Sequence, residues 1–225
     1  SGPNSRELLQ RVTETDMAND AFKWLTAKKI DIGYAPTIAA RVNFVGELGW
    51  ELHHPIEYQN HIFDTLFSAG EDLNLKPFGI RAMDMMRLEK SYRTIGTEMS
   101  IEYSAYESGL NRFIDLEKND FLGREGLISN KEKGQQNKFV TLHVRQIQDA
   151  DAIGGNPIYA NGKLIGRATS GGYGFRVGFS IALAMVETDY ADIGTNLEID
   201  ILGKIYLAEV IEESPYDPEN IKLRA

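Results

Sequence analysis

The 225-residue sequence contains no cysteine, which excludes disulfides, thiol nucleophiles and cysteine-ligated zinc. It also lacks a long hydrophobic run: no apolar stretch approaches the ~20 residues that a membrane-spanning helix needs. Clustered positive charge is missing as well. Lys and Arg number 24 against 33 Asp and Glu, for a net charge of −9, and no window is strongly basic. Nucleic acid is therefore not an expected partner, because phosphate binding depends on clustered Lys and Arg. Only four histidines are present. His53 and His54 would point to opposite faces of a strand, and His61 has no acidic partner at ligand spacing, so no metal site is expected. Gly46-Glu47-Leu48-Gly49 and Gly171-Gly172-Tyr173-Gly174 lack the following helix and the Lys-Ser/Thr closure of a phosphate loop, and read as turns. Ser170, within Thr169-Ser170-Gly171, does not sit in a nucleophile-elbow pattern. The opening Ser1-Gly2-Pro3-Asn4 has no initiator Met and no signal-peptide pattern, which fits a start in mid-protein or a tag remnant.

What is present is an ordinary globular composition, 42% hydrophobic and 25% charged, with room for one large domain or two modest ones. Two domains are expected, with the boundary in the polar run Ser129 to Lys138. Before it the pattern mixes helices and strands. Leu8, Leu9 and Val12 share a helical face after an Asn4 or Ser5 cap. Residues 30–34 and 37–45 read as paired strands joined by Tyr34-Ala35-Pro36. In the second, Ile38, Ala40, Val42 and Phe44 fall on one face and Thr37, Arg41 and Asn43 on the other. Pro55 to Ala69, followed by Gly70, satisfies both helix end rules, and a Met-rich helix is expected over 80–90, with Arg81, Asp84 and Arg87 along one side. Residues 102–111 read as loop then helix, and 113–116 as a short strand. Beyond the boundary, short strands at 139–144, 157–159, 163–169, 180–186, 196–201 and 205–211 alternate with turn signals, Asn161-Gly162 being a strong hairpin signal. An antiparallel barrel or sandwich follows.

One side chain stands out for chemistry. In Trp50-Glu51-Leu52 the period of two separates Glu51 from its apolar neighbours. Glu51 is then either the solvent-side residue of an amphipathic strand or an inward carboxylate beside the aromatic Phe44. In the second case the pair would suit a flat, nitrogen-rich heterocycle, since the carboxylate accepts hydrogen bonds from ring N–H groups while the aromatic supplies apolar contact.

The ordered segments Gly46 to Leu52, Gly79 to Lys90, Glu107-Ser108-Gly109-Leu110, Asp120 to Leu127, Thr169-Ser170-Gly171-Gly172 and Ser214 to Pro218 resemble the aminomethyltransferase family, the T-protein of the glycine-cleavage system. Arg87 to Arg93 and Tyr216-Asp217-Pro218 look most like the folate-binding part fused to sarcosine and dimethylglycine dehydrogenases. The resemblance implies an α+β fold: a partial folate-binding aminomethyltransferase domain at 1–130, then a small antiparallel β-barrel domain at 131–225. It implies tetrahydrofolate as cofactor and an enzyme that captures an aminomethyl or iminium carbon as methylenetetrahydrofolate. Implied partners are folate, a small methylamine or aminomethyl donor, and a flavin dehydrogenase domain or subunit. Glu51, Phe44, Arg81 and Tyr216 fall at implied folate-binding positions. Phe44 replaces a usual tyrosine, and Met83 replaces the arginine of the family's Ala-Arg-Asp motif. No catalytic residue is implied, since the family's aspartate belongs to a segment ahead of Gly2-Pro3-Asn4-Ser5-Arg6. The chain alone is therefore expected to bind folate weakly without turnover. The implied location is the cytoplasm, or the mitochondrial matrix in a eukaryote. The alternatives are a non-catalytic folate-binding or scaffold module and a demethylase transferring a methyl group to folate.

Overall fold

The structure, a computed structural model, describes residues 1–147 and 149–225. The chain divides into two compact units, Ser1–Arg87 with Asp217–Ala225, and Leu88–Tyr216. No helix among the described residues is long and apolar enough to cross a membrane.

In the first unit, helix α1 (Ser5–Val12) begins after Asn4 and is braced by an exposed Arg11–Glu7 pair one turn apart. Strands β1 (Ala27–Ile32), β2 (Ala35–Ala40) and β3 (Glu51–His53) form an antiparallel sheet in that order, and α2 (Gln59–Ala69) and α3 (Ile80–Leu88) follow. The core joins Leu9, Met17, Phe22, Ile30, Ile32, Ala35, Ala39 and Ile62. The β1–β2 turn falls at Gly33-Tyr34, where Gly33 takes φ +56°, rather than at Tyr34-Ala35-Pro36. One further expectation is corrected here. Strand β2 ends at Ala40, so residues 41–50 are loop. Its buried face is also the less apolar one: Ala35, Thr37 and Ala39 are buried while Ile38 is 47% exposed. The register gives the reason. Ile30 pairs with Thr37 and Ile32 with Ala35, and residues directly opposite across an antiparallel pair share a face, so the two buried isoleucines carry their partners inward.

The short helix α5 (Ile221–Arg224) belongs to this unit and seats Leu223 in it. Arg41, buried beneath it, donates to the carbonyls of Phe22 and Ala225 at 2.6 and 2.9 Å. Asn19 Oδ1 accepts from Arg41 as well, and burial together with the nearby Arg6 charge lowers the Arg41 pKa.

The second unit is a closed six-stranded barrel with a segment wrapped on its outer wall. Strands β4 (Asn137–Val144), β5 (Pro157–Ala160), β6 (Lys163–Gly174), β7 (Phe179–Glu187), β8 (Asn196–Ile201) and β9 (Lys204–Ile211) close in the order β4-β7-β6-β5-β8-β9. Asn161 and Gly162 turn β5 into β6 at φ +51° and +76°, the two-residue turn the sequence anticipates. The interior is filled from every strand, with Val140, Leu142, Ile158, Ile165, Ala182, Ala184, Leu197, Ile199 and Val210 among its residues. Strand β7 is buried on both faces: Ala182, Ala184 and Val186 point inward, and Ile181, Leu183 and Met185 are covered from outside. That is why its sequence runs apolar without alternation.

Two local expectations fail here. Residues 113–116 form no strand, since Asn111–Phe113 is a 3-10 turn, and 102–111 is a chain of turns. The polar run covers the end of helix α4 (Arg124–Lys133), the connecting residues 134–136 and the start of β4.

Close backbone approach fixes Gly171 in β6, where an added Cβ would lie 2.3 Å from the carbonyl oxygen of Ala152. Gly171→Ala should therefore destabilise the protein by about 2 kcal/mol or more, the usual cost of overpacking against immovable backbone. Urea unfolding checks this, and an unchanged midpoint would contradict it.

Candidate functional site

Strand β3 holds Glu51 through the register Ala40↔Glu51 and Ile38↔His53. Leu52, opposite buried Ala39, packs with Trp50 against the core. Glu51 therefore points to the other side, onto an open sheet face with Lys29, Asp31, Ile38 and His53. Its side chain is 50% exposed and lies 3.4 Å from His53 Nε2. Of the two placements the sequence leaves open, Glu51 takes the solvent-side one. The carboxylate faces solvent, because the β1 isoleucines have already decided which face is the core.

Phe44 is half-buried in the loop between β2 and β3, not at the end of a strand. Asn43 shapes that loop: its Oδ1 accepts from the backbone N–H groups of Val45, Gly46 and Glu47 at 3.0, 2.8 and 3.3 Å, and its Nδ2 donates to the Glu47 carbonyl. Gly46 completes the turn at φ +75°. An Asx-type turn of this kind uses the converging N–H groups internally. Arg81 is exposed on α3, while Asp84 and Arg87 form the pair their spacing suggests, Nε to Oδ1 at 2.7 Å, with Arg87 buried. The histidines have local roles, His61 stacking on Tyr34 at 3.6 Å with Nε2 3.2 Å from the Ile32 carbonyl.

Tyr216 belongs to the second unit and is half-buried. The guanidinium of Arg176 lies 3.8 Å from its ring centroid. Its backbone N–H donates to the Glu89 carbonyl at 3.0 Å, and its own carbonyl accepts from Lys90 Nζ at 3.0 Å.

Sequence reasoning missed two buried carboxylates, Glu89 and Glu98. Glu98 is wholly buried. Its Oε1 accepts from Ser170 Oγ at 2.5 Å and Thr169 Oγ1 at 2.6 Å, and its Oε2 from Thr97 Oγ1 at 2.6 Å and Thr94 N–H at 2.9 Å. Adjacent strand residues normally face opposite ways. The register shift between Ala168 and Ser170 is a bulge that lets both hydroxyls reach one oxygen. The Thr169-Ser170-Gly171-Gly172 motif is thus a carboxylate clamp, and Ser170 has no free path to a substrate. The signal available in the sequence was a bulge-prone Thr-Ser-Gly-Gly within a strand, but its partner lies some 70 residues earlier.

Residues 1–118 match the "GCVT N-terminal domain" model, and residues 137–217 match the "Glycine cleavage T-protein C-terminal barrel domain" model. Human mitochondrial dimethylglycine dehydrogenase is 37% identical over 214 residues, covering 95% of this chain and 25% of that protein. A "4-methylaminobutanoate oxidase (formaldehyde-forming)" from Paenarthrobacter nicotinovorans is 34% identical over 226 residues, 99% of this chain and 27% of the oxidase. An aminomethyltransferase from Desulfitobacterium hafniense is 31% identical over 93% of this chain and 56% of its own length. The crystal structure of glycine cleavage system aminomethyltransferase T from Bartonella henselae superposes with a TM-score of 0.83 at 20% identity, covering 95% of this chain and 57% of that one, which establishes the fold. The chain thus spans about a quarter to just over half of the relatives it matches.

Burial alone would raise the Glu98 pKa, but the hydroxyl and amide donors outweigh it and hold the carboxyl below its ordinary 4.5. The stability that Glu98 contributes is full above that ordinary value and is lost as pH falls through the depressed folded value. Glu98→Gln should cost about 3 kcal/mol at pH 7, the scale of a broken buried charged network. Urea unfolding should show the gap from wild type narrowing below about pH 4.5. A gap independent of pH would contradict the assignment.

Proposed function

Since the chain belongs to the glycine cleavage T-protein (aminomethyltransferase) family, we propose that it is part of a tetrahydrofolate-dependent one-carbon transferase. The observation that carries this reading is the exposed Glu51 carboxylate on the open sheet face, beside the Asn43-shaped loop that carries Phe44. The group fits the residues present. A pterin offers ring N–H donors, and a solvent-facing carboxylate accepts them without first giving up a buried partner. Phe44 supplies the apolar contact and Arg81 a local positive charge for an anionic ligand. Tyr216 is a further proposed folate contact on its own unit.

Bound tetrahydrofolate would supply N5 and N10 to take up the one-carbon unit of an aminomethyl or iminium donor, the donor's amine departing. The protein's part is positioning and exclusion of water, which needs no nucleophilic side chain. The proposed donor is an iminium derived from an N-methylated amino acid, because the dehydrogenase and oxidase relatives are named for such substrates. That donor chemistry makes a flavin-containing domain or subunit the proposed source of the iminium. The chain by itself is proposed to bind tetrahydrofolate weakly and to form no methylenetetrahydrofolate.

Isothermal titration with tetrahydrofolate tests the reading. Glu51→Gln should weaken binding about tenfold or more, as expected for loss of a charge-assisted hydrogen bond. Thermal stability should be unchanged, since the side chain is half exposed. Equal affinity in the two proteins would remove Glu51 from the site.

A further inference from the structure

A second constellation, wholly within residues 88–216, centres on Glu89. This carboxylate is 1% exposed, and three donors occupy it. Its Oε1 accepts from the backbone N–H groups of Arg176 and Val177 at 2.5 and 3.3 Å, and its Oε2 accepts from Arg176 Nε. Glu89 thus holds both the main chain and the side chain of Arg176 at the β6–β7 connection. Gly174 permits this closure, since a Cβ there would meet Val177 Cγ2 at 2.6 Å and Glu89 Cγ at 3.1 Å. The guanidinium so fixed is the platform 3.8 Å from the centroid of the Tyr216 ring.

The same short segment grips the Tyr216 backbone from below. Besides the Glu89 and Lys90 bonds, Ser214 Oγ donates to the Lys90 carbonyl at 2.8 Å, and the Ser214 N–H donates to Ser91 Oγ at 2.9 Å. The backbone bonds place the residue, and the Arg176 guanidinium faces its ring. Arginine suits the task because its planar, delocalised cation stacks on an aromatic while Nε stays committed to a carboxylate.

We infer that Glu89 is a positioning residue for folate binding: it fixes Arg176 as a platform that holds the Tyr216 ring in its ligand-contacting orientation. The inference rests on the reading of Tyr216 as a folate contact. Its structural half, Glu89 to Arg176 to Tyr216, is independent of folate and can be read separately.

The experiment uses the full chain as wild type, Arg176→Lys, Glu89→Gln, Tyr216→Ala and the Arg176→Lys/Tyr216→Ala double variant. Two measurements are made on each: aromatic carbon–proton NMR of the Tyr216 ring, assigned through Tyr216→Phe, and isothermal titration with tetrahydrofolate. Arg176→Lys keeps a charge for Glu89 and so keeps the fold, which makes it decisive if Glu89→Gln fails to fold. The ring resonances should move toward solvent-averaged positions in Arg176→Lys, and in Glu89→Gln where it folds. Tetrahydrofolate affinity should fall about fivefold in Arg176→Lys, the scale of one partly exposed cation–π contact. In the Tyr216→Ala background, Arg176→Lys should add nothing. Ring resonances unmoved in Arg176→Lys would overturn the platform, whatever folate does. Moved resonances with wild-type affinity in Tyr216→Ala would overturn the folate reading of Tyr216 and leave the platform as structure only. An additive loss in the double variant would show Arg176 acting on the ligand by itself and would overturn the positioning role.

Discussion

Three carboxylates fasten residues 89–107 to the barrel, and the second unit depends on them. Glu89 binds the β6–β7 connection, Glu98 the bulged hydroxyls of β6, and Glu107 the start of β4 through Asn137 N–H at 3.1 Å. Glu89 and Glu98 are buried and Glu107 is half-buried; a buried carboxylate costs several kcal/mol unless its oxygens are filled, and these are filled by fixed backbone amides and short hydroxyl side chains. The Coulombic partner is secondary except at Glu89. Once the segment is fastened, the outer faces of Ile181, Leu183 and Met185 are covered, and β7 becomes a central strand buried on both sides. The Arg93 guanidinium, 3.8 Å from the Phe139 ring centroid and paired with Glu213 at 2.6 Å, continues the same seam toward the segment that ends in Tyr216.

In the first unit the deciding constraint is simpler. Two isoleucines of β1 face the core, and antiparallel pairing transmits that choice across β2 to β3. The result is an open sheet face that presents Lys29, Ile38, His53 and Glu51 together, with Ile38 between Lys29 and His53. Such a face offers hydrogen-bond acceptors and a flat contact surface to a heterocyclic ligand at no cost in unpaired buried charge.

Where periodicity and end signals were strong, the sequence was legible: α1, α2, the barrel strands and the Asn161-Gly162 turn follow from local pattern. The two-part family architecture was legible from ordered motifs, and the matches to both family models agree with it. The face of β2 was not, because Ile38 looks like a core residue until its cross-strand partners are known. Nor was the loop at Phe44, where Asn43 captures three backbone N–H groups and ends a run that would otherwise continue as strand. The buried carboxylates were invisible for a different reason. Glu89 and Glu98 find their partners some 70 to 90 residues downstream, and nothing in a local window marks a glutamate as buried. Of the residues expected to contact folate, Glu51 was located by its alternation with Trp50 and Leu52, while the side it faces came only from the register.

The central claim is that the open sheet face of the first unit receives the pterin. Backbone amide NMR of the chain, recorded while tetrahydrofolate is added, tests it directly. Shifts should concentrate at Ile38, Ala40, Phe44, Glu51 and His53, and should spare the buried face at Thr37 and Leu52. Saturable shifts confined to residues outside this face would contradict the account.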